Sequence, residues 1–297
     1  MKILVVGKVT DNQGARLKEE AEKRGHNLIN CGSYDLFIAA DKNHFLPKIT
    51  AGNLTDFDLI YLLTVGDRKW EWYLACQYLS EKYGTKIVDQ KVVDPNYKIF
   101  FSPTAELKKQ VENGINFPQT TVIVSTKAVE NALTDFSFPV IVKTNHLQRG
   151  LGVSLVNSTE EIKEIIAKNK KESPSFFIRE FIPNDGDIRV FVIGYKALGA
   201  MKRTPKEGDF RSNISRGGFG TKFDLNSNPQ IKEIAEKMAL LNQSEIAGVD
   251  IIIHKETGVP YVLEINRGPQ FAGFEKYTGL NAAKAIIEYF ESRLAKH

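Results

Sequence analysis

The sequence predicts a mixed chain, α/β at its start and α+β beyond, and three observations predict it. Residues 3–7 form a continuous apolar strand that runs towards a charged helix, a βα unit. Later in the chain, short apolar strands follow one another across tight turns, the pattern of an antiparallel sheet. Within that part, AGVDIIIHKETGVPYVLEINRG sets two apolar runs, 249–253 and 261–265, about a turn-rich HKETGVP, which reads as a β-hairpin.

At 297 residues and 42% hydrophobic, the chain can bury a full core and form two or three compact units. Forty Lys and Arg against 36 Asp and Glu leave a net charge of +4, too slight an excess to imply a nucleic-acid partner. Cys31 and Cys76 have no metal or redox spacing, so reduced thiols in a cytoplasmic protein are expected. No apolar run approaches a membrane span, so no membrane partner is expected. MKILVVG enters a domain strand without the apolar core or cleavage site of a signal peptide.

Taken in order, Thr10 with Gln13 offers a capping box for a first helix ending near Gly25. The run 57–63, a helix holding Trp70, Trp72 and Tyr73, and a short strand at 86–89 complete a small α/β unit over 1–94. Neither G-x-G-x-x-G nor G-x-x-x-x-G-K-[ST] is present, which argues against a dinucleotide or P-loop site. The chain breaks around Asp94-Pro95-Asn96.

A second unit, 95–175, reads as a helix at 102–113, a strand at 121–124, a helix at 127–133 and a strand at 139–144. NHLQRGLGVSLV follows, with Gly150 and Gly152 between two strands and Lys143 just ahead; Ser158 and Glu161 then cap a helix. Glycines let backbone N–H groups approach phosphate oxygens and a lysine adds a point charge, although the same pattern makes an ordinary tight hairpin.

The third unit, 176–297, has strands at 176–182 and 187–193 joined by the turn PNDG, then a strand at 195–203. KRTPKEGDFRSNISRGG follows, a Gly-rich loop whose five cations outnumber its two acids and suit polyanionic phosphate better than a solvated loop or an RNA contact. Ser227 and Gln230 cap a helix to about Asn242, the acidic hairpin follows, and a helix over 281–294 closes the chain.

The chemistry concentrates in the hairpin. Asp250 lies in its first arm; Glu264 and Asn266 lie two apart in the second, a spacing that points both to one face. Three oxygen ligands without Cys or His are what a hard cation such as Mg²⁺ takes. The competing reading is a solvated face, which apolar surroundings disfavour because an unpaired charge is costly there. No G-x-S-x-G elbow exists, and His26, His44, His146, His254 and His297 are too scattered to form a catalytic or metal cluster.

Together IREFIPNDGDIRVFVIG, AMKRTPKEGDFRSNISRGG, AGVDIII and VLEINRGPQFAGFEKYTG resemble the RimK-type branch of the ATP-grasp carboxylate–amine ligases, most strongly from residue 139 onwards. The resemblance implies an ATP-grasp fold, with an N-terminal Rossmann-like α/β domain and two antiparallel-sheet subdomains clasping ATP. It puts Lys98 and Lys143 at the phosphates, beneath a loop carrying Gly150 and Gly152. Glu180 and the backbone of Phe181 and Ile182 would meet adenine, and Asp187 the ribose. Arg211, Ser212 and Asn213 would line the phosphate and acyl-phosphate site, and Asp250, Glu264 and Asn266 would hold two Mg²⁺ or Mn²⁺. Lys143 and Arg211 would neutralise developing charge. Arg203, with Arg267 beside it, is expected to orient the acceptor carboxylate. The pattern departs at Arg267-Gly268, where many relatives carry small residues, and this leaves the acceptor open.

The implied partners are ATP, an acceptor carboxylate on a protein, peptide or small molecule, and an amino-acid donor. A homo-oligomer is left open. Two other readings remain: a macrocyclase joining side chains of a precursor peptide, and a nucleotide-dependent RNA-binding module.

Overall fold

A strand built of apolar residues must be covered on both faces, and β1 (Lys2–Val6) is. The computed structural model describes residues 1–8, 12–94, 103–144, 152–171, 175–206 and 218–295. After β1 come α1 (Asn12–Lys23) and β2 (Asn27–Cys31), then a small antiparallel sheet of β3 (Phe37–Ala40), β4 (Phe45–Ile49) and β5 (Gly52–Asn53). β6 (Leu59–Leu62), α2 (Lys69–Tyr83) and β7 (Lys86–Val88) complete a parallel sheet in the order β2-β1-β6-β7. Ile3 and Val5 pack with α1, whereas Leu4 and Val6 pack with Trp72, Cys76 and Leu79 of α2. The start of the chain thus forms an α/β layer, a parallel sheet with helices on both faces.

The second sheet is antiparallel. α3 (Pro103–Glu112) leads to β8 (Thr120–Ile123), α4 (Val129–Ala132), β9 (Val140–Thr144), β10 (Val153–Val156), α5 (Thr159–Asn169) and β11 (Phe176–Glu180). The strand order is β10-β9-β11-β8, and Val140, Val142, Phe176 and Ile178 face α4 and α5. Ser158 caps α5 as expected, its Oγ accepting from the Glu161 N–H at 3.2 Å. The reciprocal arm goes one residue further back, with Glu161 Oε2 accepting from the Asn157 N–H at 3.1 Å.

The third sheet follows from β12 (Asp187–Ile193), β13 (Lys196–Thr204), β14 (Phe219–Phe223), α6 (Pro229–Leu241), β15 (Ile246–Ile253) and β16 (Pro260–Arg267), ordered β14-β13-β12-β15-β16. Val190, Val192, Val249 and Val262 pack on Ala235 and Met238 of α6. Phe191 and Met201 instead join the core of the first sheet, as do α7 (Ala272–Thr278) and α8 (Ala282–Ala295) through Phe274, Ile286 and Phe290. The chain thus ends by returning to its first unit.

Three readings need correction. Strands β11 and β12 are not a hairpin: β11 pairs with β8 and β9, and β12 pairs with β13 and β15. PNDG therefore crosses from one sheet to the other, and a division at 175/176 cuts ahead of a strand that belongs to the second sheet. Ser227 and Gln230 do not cap α6. Pro229 opens that helix after Asn228, while Ser227 Oγ donates to Asp224 at 2.6 Å. Finally, α8 covers the first sheet, so the expected third unit is not packed on its own core alone. The Thr10 cap, the break at Pro95-Asn96 and the start at Ser102 lie outside the described residues.

Candidate active site

The hairpin forms as its sequence requires, and its register assembles the site. Asp250 stands opposite Glu264 across β15 and β16, and Asn266 opposite Gly248. Arg189 of β12 stands opposite Asp250 on its other side, and Asp187 opposite Arg203 of β13. One face of four adjacent strands thus carries a row of charges, continuous with the apolar patch of Phe191 and Met201.

Each acid meets a cation. Arg189 grips Asp250 bidentately, Nε donating to Oδ1 and Nη2 to Oδ2, both at 2.7 Å. Arg203 donates from Nε to Asp187 Oδ1 at 2.5 Å and reaches Asp250 Oδ2 from Nη2 at 2.9 Å. The Asn266 amide lies 3.2 Å from Asp250 Oδ2 and 3.0 Å from Glu264 Oε1. Burial opposes the charge of Asp250, but Arg189 and Arg203 outweigh it and keep this carboxyl below its ordinary value. Burial pushes Asp187 up to about 6 against the pull of Arg203.

Lys143 closes the site from the other sheet. It lies on β9 opposite Phe177, so it projects from the face turned away from α4 and α5, and its Nζ donates to Glu264 Oε2. Lys143 holds Glu264 far below the usual carboxylate range against the desolvation of a half-buried site. Two residues along β11 from Phe177, Arg179 Nη1 donates to the Leu263 carbonyl at 2.9 Å. The ladder slips between Asp250 and Ile251, leaving Leu263 as an extra residue in β16, a bulge that re-aims the local backbone. Two antiparallel sheets therefore meet across a lysine–glutamate pair and an arginine–carbonyl bond.

The connection between the sheets is also tightly made. Gly186 has φ +105°, and a Cβ there would lie 2.2 Å from the Arg203 carbonyl oxygen. Glu180, exposed at the end of β11, accepts from the Gln119 N–H at 3.3 Å. Phe181 and Ile182 follow in the crossing segment, and the Ile182 carbonyl accepts from Asn184 Nδ2 at 2.7 Å. Gly152 sits at the base of the β9–β10 hairpin, its carbonyl accepting from the Thr144 N–H at 2.8 Å.

The structure thus brings together Lys143, Asp187, Arg203, Asp250, Glu264 and Asn266. Two expectations shift. Arg203 is 4% exposed and bound to two aspartates, which does not leave it free to orient an acceptor carboxylate. Arg267 reaches the first unit instead: its Nη2 donates to Tyr73 Oη on α2 at 2.9 Å. Lys98, Gly150, Arg211, Ser212 and Asn213 lie outside the described residues, as do residues 145–151 and most of the basic loop. Arg189, Arg179 and Glu106 were missed. Burial, with Glu264 nearby, pushes the Glu106 carboxyl on α3 up to about 7. Arg189 could have been found, since it stands two residues after Asp187 and so on the same strand face.

Two carboxylates and an amide form a hard-oxygen set of the kind Mg²⁺ or Mn²⁺ takes, with Arg189 and Arg203 holding the Asp250 oxygens and Lys143 one oxygen of Glu264. Turning the Asn266 amide over directs its oxygen towards the same two acids, and Lys143 lies beside them, where a phosphate could follow. No helix among the described residues is long and apolar enough to cross a membrane.

Comparison with known proteins bears on this geometry. A model of the RimK-like ATP-grasp domain matches residues 105–290. The chain is 32% identical over 286 residues to a probable alpha-L-glutamate ligase of Legionella pneumophila, covering 94% of this chain and 91% of that protein. Its fold is similar to that of the ATP-grasp ligase PsnB complexed with minimal precursor, Mg and ADP, with TM-score 0.72, 15% identity, and 98% and 97% of the two chains covered. It is also similar to the macrocyclase MdnC of Microcystis aeruginosa bound with its precursor peptide MdnA, with TM-score 0.69, 15% identity, and 98% and 100% covered. The extent of the family match and of the glutamate-ligase likeness, over a chain whose described residues form one parallel and three antiparallel sheets, places this protein in the RimK-like ATP-grasp family of ligases, which form carbon–nitrogen bonds.

Proposed function

We propose that the protein is an ATP-dependent carboxylate–amine ligase that adds glutamate, or a similar amino acid, to an acceptor carboxylate through an acyl phosphate. The observation that carries this reading is the meeting of Lys143 with Glu264 between the two sheets, beside Asp250 and Asn266.

A carboxylate does not react with an amine at neutral pH until its oxygen becomes a leaving group. An acceptor carboxylate oxygen attacks the γ-phosphorus of ATP and ADP leaves. The amine then attacks the acyl carbon, phosphate departs, and the amine gives up its proton. Lys143 binds and steadies the phosphate charge, while Glu264, Asp250 and Asn266 would hold one or two divalent cations. Such a cation, when bound, supplies charge neutralisation along the phosphates. Arg189 and Arg203 keep Asp250 ionised and fixed, so the site is preorganised. Glu180, Phe181 and Ile182, in the segment crossing between the sheets, are suited to adenine. Asp187 would reach the ribose only in part, because Arg203 already engages one of its oxygens.

The glutamate reading is supported by the relative's name, and the likeness extends over nearly the whole chain. The fold it shares with PsnB and MdnC supports peptide macrocyclisation as the second reading. ADP release is measured with amino acids and carboxylate acceptors, followed by product mass. Glutamate-dependent ADP release with a matching mass gain on the acceptor is expected. Loss of water within one peptide, without added amino acid, would support cyclisation instead.

A further inference from the structure

The base of the metal-site hairpin is fastened to the N-terminal unit at both strands. At the start of β15, the Glu245 N–H donates to Asp89 Oδ1 at 2.7 Å, and the Gln90 N–H donates back to Glu245 Oε2 at 2.7 Å. At the end of β16, Arg267 stands opposite Ala247, two residues from Glu245. Its guanidinium donates to Tyr73 Oη at 2.9 Å, with the ring centroid 6.0 Å away. The next residue, Gly268, has φ +56°, and a Cβ there would lie 2.3 Å from the Leu63 carbonyl oxygen of the first unit.

These contacts differ in kind. The Asp89–Glu245 pair satisfies backbone donors and joins the two units. The Arg267–Tyr73 contact adds a half-buried cation, whose desolvation is costly unless its geometry is well made. Burial works against that charge, and Tyr73 with the Asp89 carboxylate sustains it. Tyr73 is itself held in the α2 core, with Trp70 edge-on at 6.1 Å. Asn266, whose amide spans Asp250 and Glu264, directly precedes Arg267 in the chain. A side chain anchored at Arg267 and a backbone held close to Leu63 at Gly268 together fix the end of β16, where Asn266 sits.

We propose that Arg267 and Tyr73 form a strut through which the N-terminal unit sets the position of Asn266, and so the affinity of the site for its divalent cation. Both are positioning residues, and the inference rests on the metal–nucleotide reading above.

Binding of Mn²⁺ in the presence of ADP, followed by the electron paramagnetic resonance signal of free Mn²⁺, tests it without turnover. Tyr73→Phe removes one oxygen and keeps the ring; Arg267→Met keeps much of the length and removes the charge. Each should weaken Mn²⁺ binding about tenfold, the scale of lost outer contacts to metal ligands. Arg267→Lys should recover most of the loss. The double variant should bind no more weakly than the worse single one, because both changes remove the same contact. Tyr73→Phe guards against an Arg267→Met protein that fails to fold. Unchanged Mn²⁺ affinity in Tyr73→Phe, or additive losses in the double variant, would overturn the strut. Wild-type protein that binds no Mn²⁺ with ADP would overturn the metal–nucleotide reading as well.

Discussion

Glu264 accepts from Lys143 of the opposite sheet and from the Asn266 amide on its own strand, so its removal breaks the contact between the sheets as well as the donor set. Glu264→Ala should lower ADP release by at least about 100-fold, the scale seen when a preorganised charge contact is lost at a reacting group, while near-ultraviolet circular dichroism stays native. Arg203 behaves differently, because it serves Asp187 and Asp250 from within the sheet. A lysine cannot copy that fork. Arg203→Lys should therefore cost about 2 kcal/mol in denaturant unfolding, the scale of a buried hydrogen bond to a charge. A change confined to the acceptor constant, with stability intact, would restore the acceptor role. The clustering of Asp250, Glu264 and Asn266 on one face was legible because the two acids are embedded in apolar strands and Asn266 lies two residues from Glu264. The employment of Arg203 was not, since sequence spacing shows that a side chain shares a face but not which partner has already taken it.

At the scale of elements, the hairpin and the antiparallel character of the later sheets follow from strand-length apolar runs separated by turn residues. The crossing between β11 and β12 does not, because a strand, PNDG and a strand look the same whether the chain folds back or passes on. Gly186 makes the difference visible only in three dimensions, through its left-handed backbone and its closeness to the Arg203 carbonyl. Gly186→Ala must therefore strain the backbone and displace Arg203. It should cost about 1–3 kcal/mol in unfolding and raise the apparent constant for nucleotide. Wild-type stability and nucleotide affinity in that variant would show that the crossing is not a fixed joint. β3, β4 and β5 escaped notice because they are short and β3 is largely exposed, leaving no burial pattern to read.

For the molecule as a whole, the closure of the chain onto its beginning matters most. α8 lies in the first sheet's core, and Arg24 clamps Glu291 from Nε at 2.9 Å and from Nη2 at 2.6 Å. Near the other end of α8, Glu20 of α1 accepts from Arg16 at 2.5 Å and from Asn281 at 3.3 Å. Arg16, Asn281 and Lys23 hold the Glu20 carboxyl down at about 2, below its ordinary 4.5. A depressed acid stabilises the fold above its unfolded value and loses that contribution as pH falls through the folded one. Unfolding midpoints should therefore drop between pH 4.5 and about 2, and Glu20→Gln should flatten that segment of the profile. An equal acid dependence in the variant would mean that the ends are not joined through this carboxylate. No local pattern announces such closure, because helix periodicity gives an apolar face but not the sheet it will cover.

The most direct test of a metal–nucleotide site between the sheets is calorimetric titration of ADP into wild-type and Glu264→Ala protein, with and without Mg²⁺. Wild-type affinity should rise with Mg²⁺, and the variant should bind ADP with no gain from the cation. Equal enhancement by Mg²⁺ in both proteins would contradict the assignment of Glu264, and with it the site built around that residue.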